Sequence, residues 1–403
     1  MNTKYDIAIV GGGIVGLLTS LALARTGCSI IHIEKDELEV KNDNRSIAVS
    51  YSSIAFLNTL GLWDKVASKT QSIKKVHVSD KGRYGRAEIF AEDENLPFLG
   101  AIAPMQELLS VALQSVTENQ NIEKAFETNV ISLQKDIDSY SLIVEQEQQN
   151  KIIQASLIIA CDGANSSMRK MLNVGAKTTD YKQDAMVFDI QTDQDNQNTA
   201  YERFMTDGVL AMLPKSKTTM GCVWTVDRDN SKEKLNLDKN EFQEMIQDRF
   251  GYRLGEIRVA TKPAIFPLYL VQSNEVYKNN VLFFGNALHF LHPVFGQGMN
   301  LSIRDIGFLY DLIVESDFSQ NSIAEVLEEF TKVRKPDHDR TINITHGFVK
   351  WFVSNDFKFV VSRNIGLHLL QRSKLAKKVL SRVMMGKLTR GSTLMRKVVE
   401  DEH

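Results

Sequence analysis

Gly285-Asn286-Ala287-Leu288-His289-Phe290-Leu291-His292-Pro293-Val294-Phe295-Gly296-Gln297-Gly298-Met299-Asn300 stands between two different kinds of sequence. Ahead of it, Asn280-Val281-Leu282-Phe283-Phe284 is an apolar run of buried-strand type, and behind it a helical period begins at Leu301, so the chain reads strand, loop, helix. Gly296 and Gly298 let the backbone approach a ligand where a side chain would collide, and Pro293 stiffens the approach. A helix beginning near Gly298 would turn its unpaired N–H groups and positive dipole end into the loop. A flat, electron-accepting ring placed there would gain stability on reduction to an anion, and a flavin has those properties. Alone, the pattern also describes an ordinary tight connection.

The amino terminus repeats the arrangement with sharper chemistry. Tyr5 to Val10 reads as a strand, Gly11-Gly12-Gly13-Ile14-Val15-Gly16 satisfies Gly-x-Gly-x-x-Gly, and a helix from Ile14 to Thr26 stops at Gly27. A second strand, Ser29 to Ile33, ends in Glu34. Gly11 makes the turn, Gly13 lets a pyrophosphate reach the helix N-terminus, and Gly16 lets helix and strand pack closely. Glu34, 18 residues after Gly16, can accept both ribose hydroxyls of an adenosine. Strand, glycines, helix, strand and acid in this order predict a dinucleotide-binding unit.

Outward from these two loops the signals are weaker. Arg45, in Asn44 to Ser50, could return to the cofactor's phosphates as a fixed charge or simply be solvated. Val76 to Phe90 alternates as a hairpin bending at Gly82 and Gly85. Gln106 lies near the start of a helix from about Met105 to Thr117 and could face the cofactor or the solvent. Leu157 to Ala160 is a strand running into Cys161-Asp162-Gly163, followed by Ser166 or Ser167 as cap of a helix carrying Arg169. Between about Asp180 and Asn274, strand-like segments dominate around one helical piece, Asn240 to Phe250, as in a mostly antiparallel layer inserted into the nucleotide unit. Arg304 and Asp305 sit near the start of the helix Leu301 to Ser316, and a further helix, Ser322 to Arg334, should stop before Pro336.

Length and composition bound the rest. A chain of 403 residues predicts two or three packed units. The net charge of −2 gives no reason to expect nucleic acid. Cys28, Cys161 and Cys222 lack metal-like spacing, so no metal site is expected and buried thiols in a reducing compartment are. The N-terminus enters a strand at once, leaving no room for a secretory signal, and no apolar run is long enough to span a membrane. A cytoplasmic protein is expected, or one peripheral on the inner face of a membrane. From Lys350 to Lys397 twelve lysines and arginines face a single acid, Asp356, among apolar residues such as Trp351, Phe352 and Leu380. This is either a solvated helical cap or a basic amphipathic surface for anionic lipid or an acidic partner.

With three sites in order, the chain resembles the class A flavoprotein aromatic hydroxylases, the para-hydroxybenzoate hydroxylase group. Gly11 to Gly16 with Glu34, Asp162-Gly163 with Arg169, and Gly285 with Pro293 to Asn300 look like its dinucleotide, Asp-Gly and Gly-Asp motifs. Within the group it is similar to the ubiquinone-biosynthesis branch, closest to its methoxyphenol hydroxylases, through Asn44 to Val49, Val76 to Gly82, Glu202-Arg203-Phe204, Leu210 to Pro214, Phe250 to Gly255 and Leu291-His292-Pro293. Asn286 departs from the aspartate usual in the family; its amide oxygen can still accept a hydrogen bond from a ribityl hydroxyl, without the charge. The methoxyphenol hydroxylases look as though they share that asparagine.

The resemblance implies an α/β fold: a Rossmann-like FAD-binding domain in three pieces (1–72, 100–178, 276–340), an inserted antiparallel substrate domain (73–99, 179–275) and a helical region, 341–403. FAD would be held by Gly11, Gly13, Gly16, Glu34, Arg45, Gln106, Asp162, Gly163, Asn286, Pro293, Gly296, Gly298, Met299 and Asn300. Reduced FAD would react with oxygen to a C4a-hydroperoxide and hydroxylate a polyprenylated phenol, with NAD(P)H or another donor visiting transiently. Pro293 would border the reacting centre, and His289 and His292 titrate in the range useful for deprotonating a phenol. The tail predicts an apolar channel between inserted sheet and C-terminal helices. A membrane surface, a ubiquinone-biosynthesis complex and an oligomer are all compatible partners. Two other readings share the fold: a flavin reductase of polyprenyl chains, and a non-catalytic subunit of a quinone-biosynthesis complex.

Overall fold

The computed structural model describes residues 4–37, 45–83, 85–135, 140–205, 207–293, 296–316, 318, 320–353, 366, 368, 371–386 and 391–396. At its centre lies β1 (Lys4–Val10), flanked in parallel by β2 (Ile30–Ile33) and β11 (Gln149–Ala160). Ile7, Ala8 and Ile9 have no exposed surface, which is why β1 reads as a continuous apolar run rather than an alternating one. The sheet continues through β8 (Ile122–Ala125) on one side and β19 (Val281–Phe283) and β18 (Tyr277–Lys278) on the other. β9 (Thr128–Lys135) and β10 (Tyr140–Gln146) join β11 as an antiparallel meander.

One face of this sheet is covered by α1 (Ile14–Leu23), α4 (Met105–Glu118) and α8 (Gln297–Glu315), whose Leu17, Leu108, Ala112, Ile303 and Ile306 share a core with Ile7, Phe284 and Phe330. Beside it, β3 (Ser46–Ser50), β7 (Gly100–Pro104) and β4 (Gln71–Ile73) form a small antiparallel sheet with α2 (Tyr51–Thr59) and α3 (Trp63–Ala67). The short α5 (Ser167–Met171) follows β11.

The second large sheet runs in the order β20 (His289–Phe290), β17 (Ala264–Ser273), β12 (Ala176–Thr192), β15 (Thr219–Asp227), β14 (Gly208–Pro214), β13 (Thr199–Met205), β5 (Lys75–Asp80), β6 (Arg86–Phe90), with β16 (Ile257–Val259) also on β12. Met186, Phe188, Trp224 and Val226 point to one face and pack under α7 (Lys239–Phe250), with Phe242 and Ile246. The two-residue period puts Val187, Asp189, Ala211, Leu213, Gly221 and Val223 on the other, as the cross-strand pairs Val187–Val223, Asp189–Gly221 and Ala211–Val223 require.

Five features depart from the sequence expectations. α6 (Arg228–Leu235) precedes α7, a polar helix with a single buried residue and no apolar stripe to reveal it. α8 starts at Gln297, ahead of Leu301. β20 takes part of the Gly285–Asn300 loop into the inserted sheet, pairing His289 with Gln272, and β12 runs across the boundary expected at 178/179. α9 (Gln320–Val353) passes through Pro336 instead of ending at Arg334. Proline costs the helix one backbone donor, but Arg334, Asp337 and His338 on either side are locked by buried ion pairs to α8, and those contacts carry the helix across. Of the basic segment 350–397, residues 354–365, 367, 369–370, 387–390 and 397 lie outside the described residues; within the rest α10 (Lys374–Met384) is helical.

His32, His77 and His292 are all buried, and desolvation holds their pKa values at about 4, about 4 and about 3, with Arg253 adding to the effect at His77. The unfolded chain, with histidines near 6.5, therefore binds protons first, so this part of the stability is complete above about 6.5 and is lost as the pH falls toward the folded values. Carboxylates do not interfere above about pH 5 because they are ionised in both states. The urea midpoint should drop steadily from pH 7 to pH 5, by the equivalent of up to about 2 kcal/mol per histidine. A flat midpoint would mean these rings are hydrated.

Candidate active site

β1, β11 and β19 are adjacent and parallel, so the turns that follow them open at one edge of the sheet. Gly11 has φ of +117°, and a Cβ on it would stand 2.6 Å from the Cys161 carbonyl oxygen and 2.9 Å from the Asp162 nitrogen. A Cβ on Gly16 would stand 1.9 Å from the Gly11 oxygen. Gly13, by contrast, has nothing within 4 Å of where a Cβ would be. Two glycines are therefore demanded by the protein's own packing and the third faces open space. Gly285, at φ of +55°, packs against Val15, 3.1 Å from the Cβ it lacks, and Phe284 N–H donates to the Ala160 carbonyl at 2.9 Å. The three turns, far apart in sequence, touch one another.

The groups that these turns present are of the kind a dinucleotide-bearing flavin requires. α1 begins after Gly13 and α8 after Gly296, at φ of +57°, neither with a side-chain cap hydrogen bond, so each turns the positive end of its dipole toward this edge. Gly298 and Gly163 again have nothing within 4 Å of an added Cβ. Glu34 is held beside the glycine loop by the Gly12 and Asp36 N–H groups, the latter at 3.1 Å. Asp162 accepts from Ser167 Oγ and Met168 N through Oδ2, both at 3.0 Å, while its Oδ1 is buried with no partner among the described residues. Arg169 donates Nη2 to the Ala164 carbonyl, and its Nε and Nη1 are buried without a partner among the described residues. Such orphaned atoms carry a desolvation cost that a polar ligand would offset.

The remaining sequence candidates divide. Asn300 is buried, and its side chain is used inside the protein: Oδ1 accepts from Ser50 N at 2.9 Å, and Nδ2 donates to the Ala48 and Gly296 carbonyls at 2.8 and 2.7 Å. Only its backbone is left for a ligand. Met299 packs on the core under the first sheet, and Asn286 is exposed. Arg45 and Gln106 come together at one end of the small sheet, where Met105 N–H donates to the Arg45 carbonyl at 2.9 Å. The Arg45 guanidinium reaches to 5.8 Å from the Phe266 ring on the inserted sheet.

On the loop, Pro293 is exposed while His289 and His292 are buried. His292 meets Tyr181 edge-on, with ring centroids 5.2 Å apart, and Tyr181 Oη pairs with His346 Nδ1 at 2.9 Å. A register shift between Asp180 and Gln183 takes Tyr181 out of the strand ladder, and burial raises its pKa to about 12. His289 turns the other way, toward Asp305 and His338, and these three offer ligand-type atoms within 4.8 Å of one another where the sequence suggested no such cluster. Tyr181, Asp305, His338 and His346 were not candidates; only tertiary packing sets them beside the loop.

A family profile described as "FAD binding domain" matches residues 4–336. Among curated proteins the chain is similar to ubiquinone hydroxylase UbiL of Rhodospirillum rubrum, 28% identical over 96% of this chain and 90% of that one, and to 3-demethoxyubiquinol 3-hydroxylase of Escherichia coli, 27% identical over 96% and 99%. Its fold resembles that of p-nitrophenol 4-monooxygenase PnpA from Pseudomonas putida, with a TM-score of 0.77 at 16% identity, covering 97% of this chain and 100% of that one.

The glycines supply a paired test. Gly13→Ala should leave the urea midpoint of the apo-protein unchanged but weaken FAD binding at least tenfold in a fluorescence-quenching titration. Gly16→Ala should lower the midpoint itself, by about 1–3 kcal/mol, because the methyl must displace backbone. Equal behaviour of the two variants would refute the assignment.

Proposed function

The chain belongs to the FAD binding domain family and takes FAD as cofactor, and from that premise we propose that it is a monooxygenase that hydroxylates the ring of a polyprenylated phenol in ubiquinone biosynthesis. The observation that carries the reading is the convergence of the three turns at one edge of the parallel sheet, where Gly13, Gly163 and Gly298 have nothing within 4 Å of an added Cβ and the loop continues from Pro293. The relatives named ubiquinone hydroxylase and 3-demethoxyubiquinol 3-hydroxylase support a phenolic ubiquinone precursor with its prenyl tail as the substrate.

Gly11, Gly13, Gly16, Glu34, Asp162 and Gly163 would hold the nucleotide half of FAD, with Asn286, Gly296, Gly298, Met299 and the Asn300 backbone along the ring system and Arg45 and Gln106 flanking it. Bound and reduced, FAD supplies the activation of oxygen. The N-terminus of α8, without a side-chain cap, would stabilise negative charge on a bound flavin through its dipole. His292, kept neutral by burial, accepts a hydrogen bond from the phenol O–H, and the Tyr181–His346 pair extends from it toward half-buried surface. Pro293 presents a rigid, donor-free wall to the substrate. An apolar cavity lined by Val76, Ile89, Leu99 and Met385 lies between the inserted sheet and α10; at about 60 Å3 it is too small for a polyprenyl tail, which would require these elements to part. NAD(P)H or a related donor delivers the electrons.

No helix among the described residues is long and apolar enough to cross a membrane. α10 nevertheless exposes Leu375 and Val379, 74% and 48% accessible and one turn apart, beside exposed Arg372 and Lys378. That combination supports peripheral attachment to an anionic bilayer, where the substrate would reside.

The FAD-loaded protein, given a reductant and a polyprenylated phenol, should consume one oxygen per hydroxylated product. Saturation of the tail without oxygen uptake would replace hydroxylase by reductase, and full flavin with neither reaction would leave a non-catalytic role. His292→Ala should retain FAD and lose roughly 100-fold in product formation; unchanged turnover removes His292 from the mechanism.

A further inference from the structure

Behind the loop, α8 and α9 bury four ionised side chains and two imidazoles. Arg304 Nε and Arg334 Nη2 donate to Asp337 Oδ2 at 2.9 and 2.7 Å; Arg334 Nε and His338 Nε2 reach Asp305 Oδ1 at 2.6 and 2.8 Å. Every member is at most 5% exposed. Two guanidiniums and two carboxylates cancel in charge, yet desolvating each costs several kcal/mol, and apolar side chains would join two helices at least as firmly. Adhesion alone does not account for the cluster.

The lone pairs of Asp305 indicate its other use. Those of Oδ1 are occupied by Arg334 and His338, whereas Oδ2 is buried with no hydrogen-bond partner among the described residues and faces His289 Nε2, itself buried without one, at 3.7 Å. The His289 ring also lies edge-on to His338, with centroids 4.9 Å apart. A divalent cation among these three residues would have to share Asp305 with Arg334 and sit in a pocket already holding two guanidiniums, so the oxygen is better matched to an imidazole N–H.

We infer that Asp305 is a positioning residue for the loop and acts through His289. The β20–β17 ladder fixes His289 from the side of the inserted sheet, at Gln272, and the Asp305 carboxylate faces its ring from the side of α8 and α9 at 3.7 Å, longer than a hydrogen bond, so its hold on the buried imidazole is electrostatic. His292 and Pro293 follow three and four residues later, so their placement is inherited from that imidazole. The catalytic consequence rests on the function proposed above; the mechanical one does not.

The test uses the FAD-loaded full chain and compares His289→Phe, Asp305→Asn and the double variant. Amide hydrogen exchange across residues 288–293 should quicken about tenfold in each, with FAD retained and product formed per oxygen consumed falling at least fivefold. The double variant should be no worse than either single one, because the two residues act in series. Asp305→Asn leaves Arg334 with Asp337 alone; if it does not fold, His289→Phe, which keeps an aromatic ring and breaks no guanidinium–carboxylate pair, carries the test. Unchanged exchange in that variant, losses that multiply in the double one, or a stoichiometric divalent metal in the wild type would each overturn the inference. Exchange needs no substrate, so a protein that hydroxylates nothing would defeat the proposed function and leave this result standing.

Discussion

The constraint on which the site depends is the approach of α1 to the turn after β1, where a single methyl on Gly16 would stand 1.9 Å from the Gly11 oxygen. Helix and strand meet there backbone to backbone, and β11 closes from the other side onto Gly11 through the Cys161 carbonyl. Because those contacts are made without side chains, the N-terminus of α1 is drawn to the edge of the sheet with no side-chain cap over it. The acid at the end of β2, the Asp162 turn and the Gly285 turn are then placed by strand pairing alone, since β1, β2, β11 and β19 are hydrogen-bonded neighbours.

A second constraint fixes how the inserted sheet sits on this unit. The sheet is assembled from three separate parts of the chain: the β5–β6 hairpin, the strands from β12 to β17, and β20 from the glycine loop itself. The loop is thus a strand of one sheet at His289 and the cap of a helix under the other at Gly296. Its conformation is over-determined, by the ladder to β17, by Asn300 stapling α8 to β3, and by the ion cluster that joins α8 to α9. Rigid support of this kind is what a site that must hold a ring and a substrate in register requires.

The nucleotide half of the site was legible along the chain because its chemistry is local. A glycine that must be a glycine, and an acid at a strand end, are defined by neighbours within about thirty residues, and the parallel strands identify themselves by being apolar throughout. Less was legible wherever a residue answers to a distant partner. Asn300, a plausible ligand group by its position, turns out to be a strut, since its amide finds Ser50 and Ala48, some 250 residues earlier. Pro336 looks like a helix stop, and would be one in isolation, but buried pairs on both sides of it outweigh a missing donor.

Sequence by itself determined the fold class, the cofactor type and the order of the three turns, because glycine spacing and apolar runs act through short-range sterics that any context preserves. Tertiary structure alone decided which loop histidine looks toward Tyr181 and which toward Asp305, and that a carboxylate on α8 shares a pocket with α9. Those contacts join side chains whose proximity depends on how helices and sheets are stacked, and stacking leaves no periodic mark on the residues it brings together.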